Sequence, residues 1–248
     1  MIKVIKENGI ATLTLSRPEK RNALHPTMVT QIKSAIEEIS NDNETKALII
    51  IGEGSAFCAG ADLDYLVSSQ KYSSIENEKD SETLAEMFLS IYKLSIPTIA
   101  AVNGPAIAGG CGLASVCDFI IADTNKTKFG YTEVKIGFIP AIVSIFLIRK
   151  IGEGNAKKLV LTGDTVDSKQ ALSLGLADYI AENSMKESIA FANKLLSNSL
   201  TSYSLTKQMI QNISAMSIDV AVNYCVRLNT ISRSSEDFKE RIKKFLNK

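Results

Sequence analysis

The chain has one histidine, His25, and four cysteines among its 248 residues, and the four, at positions 58, 111, 117 and 225, show no paired spacing. A structural zinc site needs closely paired thiolates or imidazoles, so that class is excluded, and reduced, mostly buried thiols are expected. An excess of charge of either sign is also missing: 28 Lys and Arg stand against 27 Asp and Glu. No basic field invites nucleic acid and no acidic excess implies disorder, which leaves a small molecule as the expected partner. The longest apolar stretch, residues 136–148, is broken by Gly137, Pro140 and Ser144. It falls short of the ~20 residues that cross a bilayer and reads as a buried loop and helix. Residues 1–8 alternate Lys and Glu with apolar positions and lack the apolar centre of a signal peptide, so a cytoplasmic location is expected.

What is present is the pattern of one large α/β domain. Residues 4–16 read as a hairpin around the turn residues Asn8 and Gly9, because Ala11, Leu13 and Leu15 alternate with Thr12 and Thr14. Pro26 suits the first position of a helix that carries Val29, Ile32, Ile36 and Ile39 on one face. Strands are expected at 46–51, 98–102 and 118–122, and the clearest amphipathic helix at 81–94. Residues 64–80 are polar and read as an irregular, mobile lid. From residue 153 onward only helices are evident, at 156–161, 168–174, 184–196 and in a group spanning 203–245. A core of residues 1–180 with a helical region at 181–248 is therefore expected, the latter carrying more apolar positions, such as Ile210, Ile213, Met216, Val220 and Val222, than one small core absorbs.

Two loops after strands consist of small residues: FCAGADL at 57–63 and NGPAIAGGCGL at 103–113. Glycine and alanine allow a main chain to approach a ligand closely, and N–H groups at a helix start carry partial positive charge. Two such donors suffice to hold one oxyanion. Neither loop has the spacing of a dinucleotide or nucleoside-triphosphate phosphate loop, and taken alone each reads as a glycine turn.

Together with their flanks, these loops resemble the enoyl-CoA hydratase and isomerase (crotonase) superfamily. The resemblance rests on RPEKRNAL (17–24), FCAGADL, AVNGPAIAGGCGLASVCDFIIA (101–122), KFGYTEVKIGFIP (128–140) and LTGDTVDSKQALSLGLAD (161–178), which occur in the family's order. It implies a crotonase-like ββα spiral core with a helical C-terminal trimerisation region, hence a homotrimer or homohexamer. It also implies an acyl-CoA substrate, with no metal or redox cofactor.

By this resemblance the backbone N–H groups of Ala61 and Gly109 polarise the thioester carbonyl, and Glu133 exchanges a proton with the α-carbon. Asp62, Leu63, Asp64 and Phe138 would line the acyl site, although capping the following helix is the simpler role for Asp62. Arg17, Lys20, Arg21 and His25 lie in the segment that would meet the CoA phosphates, although a helix cap is the simpler role for His25.

The chain departs from the two-glutamate pattern at Gly112, where the first glutamate would stand. Glycine there, with IGFIPAIVSIFLIRKIG at 136–152, is similar to methylglutaconyl-CoA hydratases and to β-branching dehydratases. Hydration of a 2-enoyl-CoA is thus the leading expectation. Double-bond isomerisation, chemistry on a carrier-bound β-branched acyl group, and acyl-CoA binding without turnover remain open alternatives.

Overall fold

The computed structural model describes residues 1–247. It opens with the expected hairpin, β1 (Ile2–Glu7) and β2 (Ile10–Leu15), antiparallel around Asn8 and Gly9, both of which have positive φ as the tight turn requires. Helix α1 (Pro26–Ser40) starts at the expected proline and buries Met28, Val29, Ile32, Ile36 and Ile39. Its N-cap is His25, whose Nδ1 accepts the Thr27 N–H at 3.2 Å. Three parallel strands follow: β3 (Ala47–Gly52), β4 (Thr98–Val102) and β6 (Phe119–Asp123). With β9 (Tyr179–Ala181) they complete a six-stranded sheet in the order β1-β2-β3-β4-β6-β9.

Both faces of this sheet are covered, which explains why β3 and β4 are nearly continuous apolar runs rather than alternating ones. One face (Leu13, Leu48, Ile50, Ala100, Ile120) packs on α1, α3 (Ser74–Tyr92), α4 (Gly109–Ser115) and α5 (Ala141–Thr162). The other (Ile10, Ile49, Ile99, Ile121) packs on α7 (Ser184–Leu196) through Ala192, Phe191 and Leu195. Helix α7 therefore belongs to the sheet, and after it come α8 (Leu200–Ile213), α9 (Ile218–Ser234) and α10 (Glu236–Leu246).

A small second sheet joins β5 (Ala106–Ile107), β7 (Lys128–Gly130) and β8 (Thr165–Asp167). Strands β8 and β9 lie where only helices are expected. At three residues each they are too short to leave a periodic signal. Residues 64–80 are also more regular than their polarity predicts. They contain most of α2 (Leu63–Ser69), capped by Asp62, and the first turns of α3, which begins at a capping box between Ser73 and Glu76 seven residues ahead of the expected start.

Helix α5 runs through Gly152, whose φ of 73° breaks the helix. The segment 136–148, expected to be buried, is only half so: Val143, Phe146 and Leu147 are buried, whereas Ile136, Phe138, Ile139 and Ile145 are exposed. Short α6 (Ser168–Ser173) opens on a second capping box, between Asp167 and Gln170.

Helix α8 is fastened to the sheet by charge. Asp118 Oδ2 accepts from Lys207 Nζ at 2.7 Å, Tyr203 Oη at 3.0 Å, and the Thr98 N–H and hydroxyl at 2.9 Å each. Burial and the adjacent Asp118 carboxylate push the Tyr203 phenol up, so it stays a donor. No helix among the described residues is long and apolar enough to cross a membrane.

Candidate active site

The two small-residue loops are laced together by backbone hydrogen bonds. Cys58 N–H donates to the Pro105 carbonyl at 3.2 Å, and Ile107 N–H donates to the Cys58 carbonyl at 3.0 Å. Gly110 permits the contact, because a Cβ there would stand 2.8 Å from the Cβ of Cys58. On the other side, Leu24 N–H donates to the Gly60 carbonyl at 2.7 Å, and the Leu24 carbonyl accepts the Asp62 N–H at 3.0 Å. In this parallel bridge the residue between the two bonded ones turns its own N–H away from Leu24. That residue is Ala61.

Gly109 is the first residue of α4 and has no carbonyl four residues back within the helix. Neither its N–H nor that of Ala61 has an acceptor among the described residues. The two amides adjoin: a Cβ on Gly109 would lie 4.0 Å from Ala61 N, and one on Gly60 would lie 3.4 Å from Gly109 N. Ahead of Gly109, Ala108 adopts φ 51° and ψ −123°, a conformation costly for a residue with a Cβ. The strain is held by its N–H bond to the Gly130 carbonyl at 2.7 Å, and it sits directly beside the two free donors.

These loops form one wall of a cavity of ≈ 810 Å³ that also contains Glu133, Phe138, Val143 and Leu84. Glu133 begins a short 3₁₀ turn (Glu133–Ile136) and is 6% exposed, with Oε2 buried and without a hydrogen-bond partner. Burial pushes its carboxyl above the ordinary carboxylate value, and it lines the same cavity as the two N–H donors.

Asp62 and Asp64 both line the cavity. Asp62 Oδ1 accepts the N–H groups of Asp64 (2.9 Å) and Tyr65 (3.2 Å), and Oδ2 accepts from Arg17. Burial opposes its ionisation, but the guanidinium and the helix amides outweigh it and hold the carboxyl below its ordinary value. Asp62 therefore fixes the loop that carries Ala61. Asp64 is exposed and paired with Lys20 Nζ at 2.7 Å. Leu63 and Phe138 line the cavity while remaining 65% and 55% exposed, which places them at its rim.

Of the basic segment, Arg17 is committed to Asp62 and Lys20 to Asp64, while Arg21 lines the mouth without an acidic partner among the described residues. Tyr131 does not reach the cavity. It is fully buried, with its hydroxyl 2.9 Å from that of Ser115. The buried thiols of Cys58, Cys111 and Cys117 are pushed up to about 12 by burial and are inert as nucleophiles. No group of three or more His, Cys, Asp or Glu side chains among the described residues could hold a metal ion.

Sequence reasoning missed three features of the site. Leu24 supplies the bridge that orients Ala61. Tyr65 donates to Asp80 Oδ1 at 2.7 Å across the cavity wall, tying α2 to α3. Val143, in a segment read only as buried, occupies the space over Gly112. The first is an ordinary leucine in the strand-like stretch before α1, and the other two depend on contacts between elements, so residue type carried no signal for any of them.

A family model described as enoyl-CoA hydratase/isomerase matches residues 5–248. The short-chain-enoyl-CoA hydratase of Clostridium acetobutylicum is 34% identical over 98% of this chain and 93% of its own. The crotonyl-CoA hydratase of Syntrophomonas wolfei is 33% identical, covering 98% and 94%. Among solved structures, an enoyl-CoA hydratase from Polaromonas sp. JS666 superposes with a TM-score of 0.94 at 28% identity, covering 99% of this chain and 96% of that one. The crotonase-like α/β fold implied by the motifs is the fold of this chain.

Proposed function

Since the chain belongs to the enoyl-CoA hydratase/isomerase family, we propose that it catalyses the reversible addition of water to a 2-enoyl-CoA. Ala61 and Gly109 hold the thioester oxygen, and Glu133 exchanges the α-proton. The observation that carries this reading is that two adjoining unpaired backbone N–H groups line the same cavity as a buried carboxyl with one unpartnered oxygen. Negative charge develops on the thioester oxygen as the enolate forms, and donors already fixed in place stabilise it without reorganising. One such donor is worth ~3–4 kcal/mol of barrier.

The cavity's charge bears on the acyl group. Its acidic lining comprises Asp62, Asp64, Asp80 and Glu133, while its cations, Lys20 and Arg21, are both exposed. A methylglutaconyl group carries a free carboxylate at its far end, which would meet no cation in the buried part of the wall. An uncharged acyl chain against Leu84, Ile142 and Val143 suits the lining better. The two cations at the mouth suit the phosphates of CoA, with Arg21 free to make the contact.

The test is loss of the enone absorbance of crotonyl-CoA on addition of purified protein, with 3-methylglutaconyl-CoA in parallel. Crotonyl-CoA is expected to turn over faster. No change with either thioester would sink the hydratase reading. Isomerisation is favoured as a second reading by Gly112, since moving a double bond needs one carboxylate only; conversion of a 3-enoyl-CoA to its 2-enoyl isomer measures it.

A homotrimer or a dimer of trimers is part of the same proposal. Ile218, Val222 and Val226 recur every four residues on α9 and are exposed, an apolar stripe that association would cover. Light scattering is expected to give three or six times the chain mass, and a monomer at micromolar concentration would refute it.

A further inference from the structure

Position 112 lacks an acid for a steric reason as well as a chemical one. Gly112 is buried within α4, and a Cβ there would stand 2.6 Å from the Cβ of Val143 and closer still to its Cγ1. Val143 lies in the first turn of α5, is 5% exposed and lines the cavity. A valine in a helix has one strongly preferred χ1 rotamer, so the isopropyl group cannot swing clear.

The remaining carboxylates on the wall are engaged elsewhere: Asp62 with Arg17 and two helix amides, Asp64 with Lys20, Asp80 with Tyr65. Among the described residues, only Glu133 lines the cavity with a buried oxygen that has no hydrogen-bond partner.

We propose that Val143 makes this a one-carboxyl site: it fills the space that a side chain at 112 would need, and leaves Glu133 to handle both protons of water addition. This rests on the hydratase reading above. In the step, the acid form of Glu133 passes its proton from one oxygen to the α-carbon, which receives the π pair of the double bond. Its other oxygen takes a proton from the water, whose oxygen bonds to the β-carbon. Glu133 ends protonated on the opposite oxygen, and no external base is consumed.

The experiment compares wild type, Gly112→Glu, Val143→Gly and the double variant by melting temperature and by kcat for crotonyl-CoA hydration against pH. Gly112→Glu alone is expected to melt lower and to hydrate at least tenfold more slowly. Adding Val143→Gly to it is expected to recover both and to introduce a second ionisation into the kcat profile, where the wild type shows one. Gly112→Ala with and without Val143→Gly reads the clash by melting alone, should the glutamate variants fold poorly.

A Gly112→Glu protein as stable and active as wild type overturns the proposal. So does a double variant that melts normally yet regains no hydration, or a wild-type profile with two ionisations. Loss of hydration with retained α-proton exchange in Asp80→Asn would move the second proton to Asp80 and overturn it as well. A wild type that hydrates nothing refutes the hydratase reading, while the melting comparison still judges the packing on its own.

Discussion

Replacing Glu133 by glutamine separates chemistry from packing, because the amide keeps the shape and loses the proton. A positioned acid/base contributes typically 10²–10⁴ in rate, so kcat for crotonyl-CoA is expected to fall by about that factor with little change in KM. Stability moves the other way. Burial raises the carboxyl above its ordinary 4.5 in the folded protein, so the folded state binds this proton more tightly than the unfolded chain does. The group's favourable contribution is then fully present below about pH 4.5 and is lost as pH rises through the folded value. Once pH has risen through the folded value, the wild type carries a charge whose Oε2 has no partner, and an uncompensated buried polar group costs ~1–3 kcal/mol. The glutamine N–H₂ is itself unpaired there, so we take the lower part of that range, about 1–2 kcal/mol. At roughly 2–4 °C per kcal/mol for a chain of this length, Glu133→Gln should melt higher than wild type by a few degrees at pH 8. The difference should vanish near pH 4. Calorimetry at the two pH values and a crotonyl-CoA assay decide it. A variant retaining more than a tenth of wild-type kcat, or melting below wild type at pH 8, would refute the reasoning.

Ala108→Gly removes strain of about 1–3 kcal/mol and adds about 0.4–1 kcal/mol of unfolded-state entropy, so a net gain near 1 kcal/mol and a rise of roughly 2–4 °C in Tm are expected. A Tm below that of wild type would show that the φ of 51° costs nothing here. Asp118→Ala strands Lys207, which is 9% exposed, beside the polar groups of Thr98 and Tyr203; urea unfolding should show a loss of about 3–5 kcal/mol, and a loss under 1 would mean that α8 is not held through this cluster. Asp62→Ala uncaps α2 and frees Arg17, with a stability loss of about 1–2 kcal/mol from the cap and a lower kcat/KM through a looser Ala61 amide. Unchanged kcat/KM would remove Asp62 from the positioning of that loop.

The fold was legible where periodicity was long and the termini were marked. Pro26 starts α1, Asn8 and Gly9 turn the hairpin, and α7 runs over the expected residues 184–196. Legibility failed where a cap outweighed composition. Ser73 and Glu76 start α3 inside a segment whose Ser, Asn and Lys content reads as coil, whereas the cap expected of Asp62 is the one that starts α2. It failed also at β8 and β9, whose existence depends on partners far away in the chain: β9 pairs with β6, and Tyr179 lies opposite Ile121.

At the site, the groups that need a particular backbone were visible because such backbones demand glycine or alanine, and the motif around Glu133 marked the carboxyl that is buried in the cavity wall. What the acid does was not visible. Gly112 on its own is equally compatible with an empty space open to water and with a space filled from elsewhere, and those alternatives give opposite chemistry. Water beside Gly112 would supply a second proton acceptor at the cavity wall, whereas an alkyl group there removes it. Which one holds is decided by Val143, thirty-one positions later and on another helix, through a contact that no spacing rule encodes. A missing catalytic residue is therefore interpretable only together with whatever occupies its volume, and in this protein that volume is apolar.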